Sequence, residues 1–119
     1  MKYPHILATS VNVDVILCDK VFEVHEQSLE MILDLDQFGM ICGIEILNLV
    51  LETGVSCLDM ISRSFPSPDL DAEYSYDADA DAFYLKLTDS RSLDQDVVSG
   101  AVALNRCGEI VRFSASRSI

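Results

Sequence analysis

A two-strand pattern that occurs twice constrains this chain more than any other feature of its sequence. The two occurrences are MILDLDQFGMICGIEIL, Met31–Leu47, and GAVALNRCGEIVRFSAS, Gly100–Ser116. In each, apolar-rich runs flank a turn that starts with Asp36 or Asn105 and ends with Gly39 or Gly108. Asp and Asn side chains bond to the backbone two residues on, and Gly accepts the positive φ that short hairpin loops require. The pattern therefore predicts two β-hairpins.

The two occurrences also predict an internal duplication, since they align at a constant offset of 69 residues. Upstream, VNVDVIL aligns with ADADAFY at an offset of 67, which pairs Asp14 with Asp81. Apolar and polar residues alternate in both upstream stretches, and Phe83, Leu85 and Leu87 are expected on one face of a half-buried strand. Each unit is therefore expected to contain about four short strands.

We predict a mainly β protein in which two antiparallel β-meander repeats pack into one pseudo-symmetric domain. The predicted parts are a first repeat over 1–54, a short helix and linker over 55–72, and a second repeat over 73–119. A weak helical spacing places the helix around Ser56 to Arg63, before the helix-breaking FPSPD. A lone meander exposes sheet edges and an apolar face, so two packed copies bury what one cannot.

Composition limits the classes of partner. The chain has 119 residues, half of them hydrophobic, and a formal net charge of −12. Such a field repels nucleic acid and anionic membrane, so neither is expected as a partner. No apolar run approaches the roughly 18–20 residues that cross a bilayer, and the N-terminus does not resemble a signal peptide. The four cysteines lack metal-site spacing and are interpreted as reduced thiols of a cytoplasmic protein.

The stretch YDADADAFYLKL, Tyr76–Leu87, resembles the opening signature of a bacterial family of very short proteins, the domain of unknown function number 2283. LDLDQFGMICGIEIL, Leu33–Leu47, is similar to the closing half of the same family. The two matches lie in different copies, and the second copy has Arg112 and Phe113 where the family has Gly-Ile. The resemblance implies a fold unit and a bacterial, intracellular setting. It implies no catalytic residue, because the family has no established activity, and it leaves open whether the copies diverged by specialisation or by drift.

The most suggestive ligand motif is DADADA, in which Asp77, Asp79 and Asp81 have the spacing that opens a calcium loop. However, the sixth position is Ala82 where a calcium loop needs Gly, and the twelfth is Thr88 where it needs a bidentate Glu. The alternative interpretation is a turn at the entry to a strand, with the Asp side chains capping backbone amides. This alternative is favoured, and a divalent-cation site remains the second possibility.

The other chemistry-bearing residues point to packing and surface roles. Asp34 with Asp36, and Asp94 with Asp96, form carboxylate pairs that would need a cleft to act in catalysis. His25 lies between Glu23 and Glu26 and is interpreted as a surface histidine. Three tyrosines are expected to share a stripe on one face, which would be either an interface or a packing surface between the repeats: Tyr74, Tyr76 and Tyr84.

These observations predict no catalytic residue and no cofactor, and they favour a non-enzymatic role. The expected function is a small acidic module that binds a protein partner or self-associates, for example as a homodimer. The alternative is a calcium or other divalent-cation binding protein that uses Asp77, Asp79 and Asp81. An enzyme with an unrecognised site stays open as a third class.

Overall fold

The computed structural model describes residues 4–18, 25–54 and 73–117 of the chain. Within these residues lie eight strands and one short helix. The strands are β1 His5–Ala8, β2 Asn12–Ile16, β3 His25–Leu35, β4 Ile41–Leu47, β5 Glu73–Asp77, β6 Ala82–Lys86, β7 Asp94–Leu104 and β8 Ile110–Ser116, and the helix α1 is Leu49–Thr53. The predicted mainly β, antiparallel class is therefore confirmed.

All eight strands form one curled antiparallel sheet in the order β1-β2-β8-β7-β3-β4-β6-β5. Its centre is the pairing of β3 with β7, which runs from His25 opposite Leu104 to Leu35 opposite Asp94. Hairpins from the two halves of the chain alternate along the sheet, because β2 pairs with β8 and β4 pairs with β6. In two separate meanders each strand would pair only with strands of its own half, whereas here strands of the two halves pair with each other. Strands from one half pair the edges that the other half would leave open, which satisfies backbone groups that would otherwise be exposed.

The two predicted hairpin turns have matching hydrogen bonds. Oδ1 of Asp36 accepts the N–H groups of Phe38 and Met40, at 2.8 and 3.0 Å. Oδ1 of Asn105 likewise accepts the N–H groups of Cys107 and Glu109, both at 3.0 Å. The glycines that end the turns, Gly39 and Gly108, have φ of 76° and 79°, which other residues adopt only at a cost. An Asx cap and a left-handed glycine therefore fix both turns, as the sequence spacing predicts.

One face of the sheet, the inner face, holds the hydrophobic core. Residues of alternating position on every long strand are buried there, among them Met31, Leu33, Ile44, Ile46, Phe83, Leu85, Val102 and Phe113. Phe83 of β6 and Phe113 of β8 stack across this core with ring centroids 5.6 Å apart. Burying each such side chain contributes about 1.5–3 kcal/mol, so this face supplies the main stabilisation of the fold. The predicted inward positions of Phe83, Leu85 and Leu87 are confirmed.

The helix α1 is capped by a residue that is distant in sequence. Asn48 precedes it with φ of 58° and gives no side-chain cap. Instead, the Asp81 carboxylate accepts the N–H of Val50 at 3.1 Å and that of Leu51 at 2.9 Å. The helix predicted around Ser56 to Arg63, like the whole predicted connection 55–72, lies outside the described residues. The described helix belongs to the range predicted for the first repeat, and its buried Leu49 joins the core.

Candidate functional site

Two of the three aspartates of the predicted cation site, Asp77 and Asp81, accept hydrogen bonds through their side chains. Oδ1 of Asp77 accepts the N–H groups of Asp79 and Ala80, at 3.1 and 3.3 Å. Oδ2 of Asp81 accepts the N–H of Leu51. Oδ1 accepts the N–H of Val50 and also the hydroxyl of Tyr76, the latter at 2.8 Å. In the part of the chain that the structure describes, no three His, Cys, Asp or Glu side chains are placed to hold a metal ion. The cation site stays a prediction, while the turn and capping contacts are observed.

The predicted tyrosine stripe is wrong in its geometry. Tyr74 and Tyr76 lie opposite Leu85 and Phe83 on the neighbouring strand, and directly opposed residues of an antiparallel pair share a face. Both tyrosines therefore face the core, where they are half-buried against it. Tyr84 follows Phe83 in the same strand, so it points to the opposite, outer face. The alternation within β6 predicts its inward and outward residues correctly. The register between β5 and β6, however, places Tyr74 and Tyr76 on the face opposite to Tyr84.

The outer face contains a buried carboxylate that the sequence pattern does not distinguish from its neighbours. Asp34 is 6% exposed, and Oδ2 accepts the hydroxyl of Tyr84 at 2.7 Å while Oδ1 accepts the side-chain amide of Gln95 at 2.9 Å. Gly43 makes room for this arrangement, because a Cβ there would collide with the Tyr84 hydroxyl. Burial raises the pKa of Tyr84, and the hydrogen bond to Asp34 raises it further. Asp34, Tyr84 and Gln95 thus form a cluster in which two neutral side chains donate hydrogen bonds to one carboxylate.

The carboxylates that the sequence pairs have different environments in the structure. Asp34 is buried on the outer face, whereas Asp36 caps the first hairpin turn. Oδ2 of Asp96 accepts Nε–H of Arg117 at 3.0 Å, and Oδ1 of Asp94 accepts the N–H of Gln95 at 2.8 Å. Burial, followed by the charges of Asp34 and Asp36, raises the pKa of the nearby Cys42 thiol. Such a thiol stays protonated, which suits a packing role and not a nucleophilic one.

A second polar feature of the outer face is an open groove of about 440 Å³. Its wall contains an ion pair in which Nε and Nη2 of Arg112 donate to the two oxygens of Asp14, at 2.6 and 2.7 Å. The hydrogen bond to Asp14 raises the pKa of Arg112. Small polar side chains also line the groove, including Ser28, Ser99 and Ser114. The surface is concave and polar, and its charged groups are paired within the chain.

Large apolar side chains are exposed at one end of the sheet. Phe38 is 77% exposed and Met40 40% exposed, both in the turn between β3 and β4, and Leu93 just before β7 is 58% exposed. The N–H of Leu93 donates to the carbonyl of Leu35 at 2.8 Å, which holds the segment before β7 beside that turn. We call Phe38, Met40 and Leu93 the turn-end patch.

Sequence reasoning placed His25 on the surface, and the structure exposes it at the start of β3. It missed both the Asp34–Tyr84 cluster and the turn-end patch. The available signal for the first was Gly43, since a glycine inside a strand marks a close approach of other atoms. The signal for the second was Phe38, a large apolar residue at a hairpin turn whose formation requires only the Asx residue and the glycine.

Comparison with known proteins found no matching family model, no similar curated protein and no similar solved structure. Among the described residues, there is no helix with the length and apolar character needed to cross a membrane. The function must therefore be argued from the chain's own surface.

Proposed function

We propose that the chain is a non-enzymatic module that binds a protein partner of basic character. The observation that carries this proposal is the exposure of large apolar side chains on the surface of a chain with net charge −12. The exposed large hydrophobics in the described part of the chain are Leu7, Phe38, Met40, Leu51, Leu93 and Val97. Phe38 and Leu93 lie together beside one recess, and contiguous exposed apolar surface of this kind marks interaction sites.

Two carboxylates of the outer face, Asp34 and Asp14, already have side-chain partners within this chain. Asp34 accepts hydrogen bonds from Tyr84 and Gln95, and Asp14 forms a hydrogen-bonded ion pair with Arg112. The net charge favours a basic partner over a second copy of the chain, because two copies with charge −12 repel each other at long range. Self-association is therefore an outcome to be tested, and a basic protein is the form proposed.

We also propose that the two halves are diverged copies of one unit, the unit that the resemblance to family number 2283 implies. The strand register shifts between Asp34 and Leu35 in the first half and between Ala103 and Leu104 in the second. The two irregularities are separated by the same offset of 69 residues as the hairpin turns. Val13 pairs with Ala115, and Phe83 pairs with Ile46. Ala115 and Ile46 are themselves 69 positions apart and therefore correspond to each other, so their partners Val13 and Phe83 correspond as well. Asp14 then corresponds to Tyr84, which revises its alignment with Asp81.

A bacterial, cytoplasmic setting belongs to the same proposal. The free thiols of Cys18, Cys42 and Cys107 support it, since such thiols persist in reducing compartments. The bacterial origin is supported by the family resemblance.

The proposal is tested by photo-crosslinking in cells that produce the full chain. A benzoylphenylalanine is placed in turn at Phe38, Leu93 and Val97, with the exposed Glu73 as the control position. We expect a discrete crosslinked polypeptide of basic composition from at least one apolar position and none from Glu73. Crosslinks only to further copies of the chain, with a dimer in sedimentation velocity, would replace the basic partner by self-association. Absence of crosslinks at every position, with a monomer at all concentrations, would refute the interaction role.

A further inference from the structure

The turn-end patch lies beside a small cavity at the end of the sheet. This cavity, of about 320 Å³, is lined by Asp36, Gln37, Phe38, Ser90, Arg91 and Leu93. Phe38 and Leu93 come from separate segments that the bond between Leu93 N–H and Leu35 C=O holds together. The patch is thus a surface built from two parts of the chain, beside a recess of mixed polar and apolar lining that is large enough to admit one side chain.

The second hairpin turn provides an internal comparison for the first. With the 69-residue offset, Phe38 corresponds to Cys107 and Met40 to Glu109. Both turns have the same Asx cap and the same left-handed glycine. Because the second turn forms without large apolar residues at these positions, the folding of the first does not require Phe38 and Met40. These exposed side chains therefore need an explanation outside the chain's own folding, and binding provides one.

The charges around the patch define what it can receive. Asp36 lines the cavity, and the exposed Asp94 follows Leu93 directly. Asp89 lies in the same segment and forms an ion pair with Lys86, at 3.4 Å. On the cavity wall Asp36 is balanced by Arg91, and with the neighbouring Asp89, Asp94 and Lys86 the region has three carboxylates and two cations. Two apolar side chains, Phe38 and Leu93, flank this recess among polar ones, and such a mixed surface with an excess of carboxylates complements an apolar side chain that has basic neighbours.

We propose that the turn-end patch is the docking site for a partner segment in which a large apolar side chain is flanked by Lys or Arg. This proposal rests on the proposed function, since it assigns the place and chemistry of the interaction. Phe38 is exposed in the free chain and would become buried on binding, as aromatic residues at the centre of interfaces typically are. The nearby carboxylates would attract the Lys or Arg residues that flank the partner's apolar side chain. A second copy of this chain does not fit, because its own patch has the same acidic surround.

The test measures fluorescence anisotropy with three labelled synthetic peptides and the full chain. The first peptide combines Lys with Leu and Phe, the second replaces Lys by Glu, and the third replaces Leu and Phe by Ser. We expect binding of the first peptide only, and we expect Phe38→Ser to weaken it at least about tenfold, as for an interface hot spot. Leu51→Ser is the matched control, because Leu51 is 75% exposed on α1, and it should bind as the unaltered chain does.

Several outcomes would overturn the proposal. Equal binding of the Lys–Ser peptide would mean general charge attraction, and equal binding of the Glu peptide would exclude basic selection. Failure of every peptide to bind, or full binding by a Phe38→Ser variant with unchanged circular dichroism, would also overturn it. A crosslinked basic partner at Val97 but not at Phe38 or Leu93 would refute this site while leaving the interaction role intact, so the two failures are distinguishable.

Discussion

The Tyr84 hydroxyl donates a 2.7 Å hydrogen bond to Oδ2 of Asp34, above the backbone of Gly43. The two residues are 50 positions apart in sequence and lie on β6 and β3, with β4 between them. The bond therefore joins three strands on the outer face, opposite the hydrophobic core. It also gives a buried carboxylate one of its two side-chain donors, and Gln95 provides the other.

We expect Tyr84→Phe to destabilise the fold by about 1–3 kcal/mol, because it leaves one oxygen of the buried Asp34 without its side-chain donor. Urea denaturation followed by circular dichroism measures the change. Ser75→Ala is the control, since Ser75 is exposed and lies opposite Tyr84 on β5, and it should stay within about 0.5 kcal/mol of the unaltered chain. Equal midpoints for the two variants would contradict the structural role of the bond.

The same bond predicts how stability changes in alkali. Burial, then the bond to Asp34, raises the pKa of Tyr84 above its ordinary value of 10.0. Below pH about 10 the tyrosine is protonated in both folded and unfolded chains, so its contribution is fully present. Above that pH the unfolded chain releases the proton first, and stability falls. We expect the melting temperature of the unaltered chain to fall more steeply above pH 10 than that of Tyr84→Phe; parallel curves would count against this assignment.

Gly43→Ala should also destabilise the fold, by about 1–3 kcal/mol, because the new methyl group meets the Tyr84 hydroxyl and overpacks the site. In a double-mutant cycle with Tyr84→Phe, part of this cost should disappear, since the nearest atom is removed. Additive effects would show that the glycine is needed for another reason. The measurement is again the free energy of unfolding of the four proteins in urea.

Much of this fold follows from local sequence. The Asx residue and glycine of each hairpin turn need only their own backbone, so Asp36 and Gly39 could be interpreted without tertiary information. The alternation of Phe83, Leu85 and Leu87 likewise identifies an inward face. What local pattern cannot provide is the partner of each strand. The sequence gives no signal that β2 pairs with β8, because that pairing depends on which edges remain open once β3 and β7 have joined.

The site was less predictable for the same reason. Tyr74 and Tyr84 alternate correctly within their own strands, yet their relative face depends on a register between β5 and β6 that the intervening turn decides. Asp34 and Asp36 look alike in sequence, but the bulge beside Leu35 and the approach of Tyr84 bury one and leave the other in a turn. Exposure of Phe38 was open to prediction from its turn position, whereas the proximity of Leu93 was not.

Asp81 should be important for stability as the cap of α1. Asp81→Ala removes the acceptor for the Val50 and Leu51 amides and places alanine at φ of 50°, so we expect a loss of about 1–2 kcal/mol or more. Asp81→Asn retains one acceptor and tolerates positive φ, so its loss should be smaller. Guanidinium denaturation measures both. An alanine variant as stable as the asparagine variant would exclude the capping role.

Acid should weaken this cap. Burial raises the pKa of Asp81, but the bonds from Leu51, Tyr76 and Val50 outweigh it, so the pKa lies below the ordinary 3.8. The contribution is present above pH about 4 and is lost as the pH falls below it, because the unfolded chain takes up the proton first. The difference in stability between the unaltered chain and Asp81→Asn should therefore shrink below pH 4, and a constant difference from pH 7 to pH 3 would contradict this.

Calcium provides the last test, because the capping contacts and the cation interpretation make opposite predictions. Both oxygens of Asp81 are occupied by amide and hydroxyl donors, and Oδ1 of Asp77 holds the turn. Calcium binding would have to displace these bonds and release α1, so we expect no rise in melting temperature at millimolar calcium relative to the same concentration of magnesium. A rise that Asp79→Asn removes would instead establish the cation site, since Asp79 has no role in the cap. In that case, the segment would have to rearrange when calcium binds, which the circular dichroism of the unaltered chain with and without calcium would reveal.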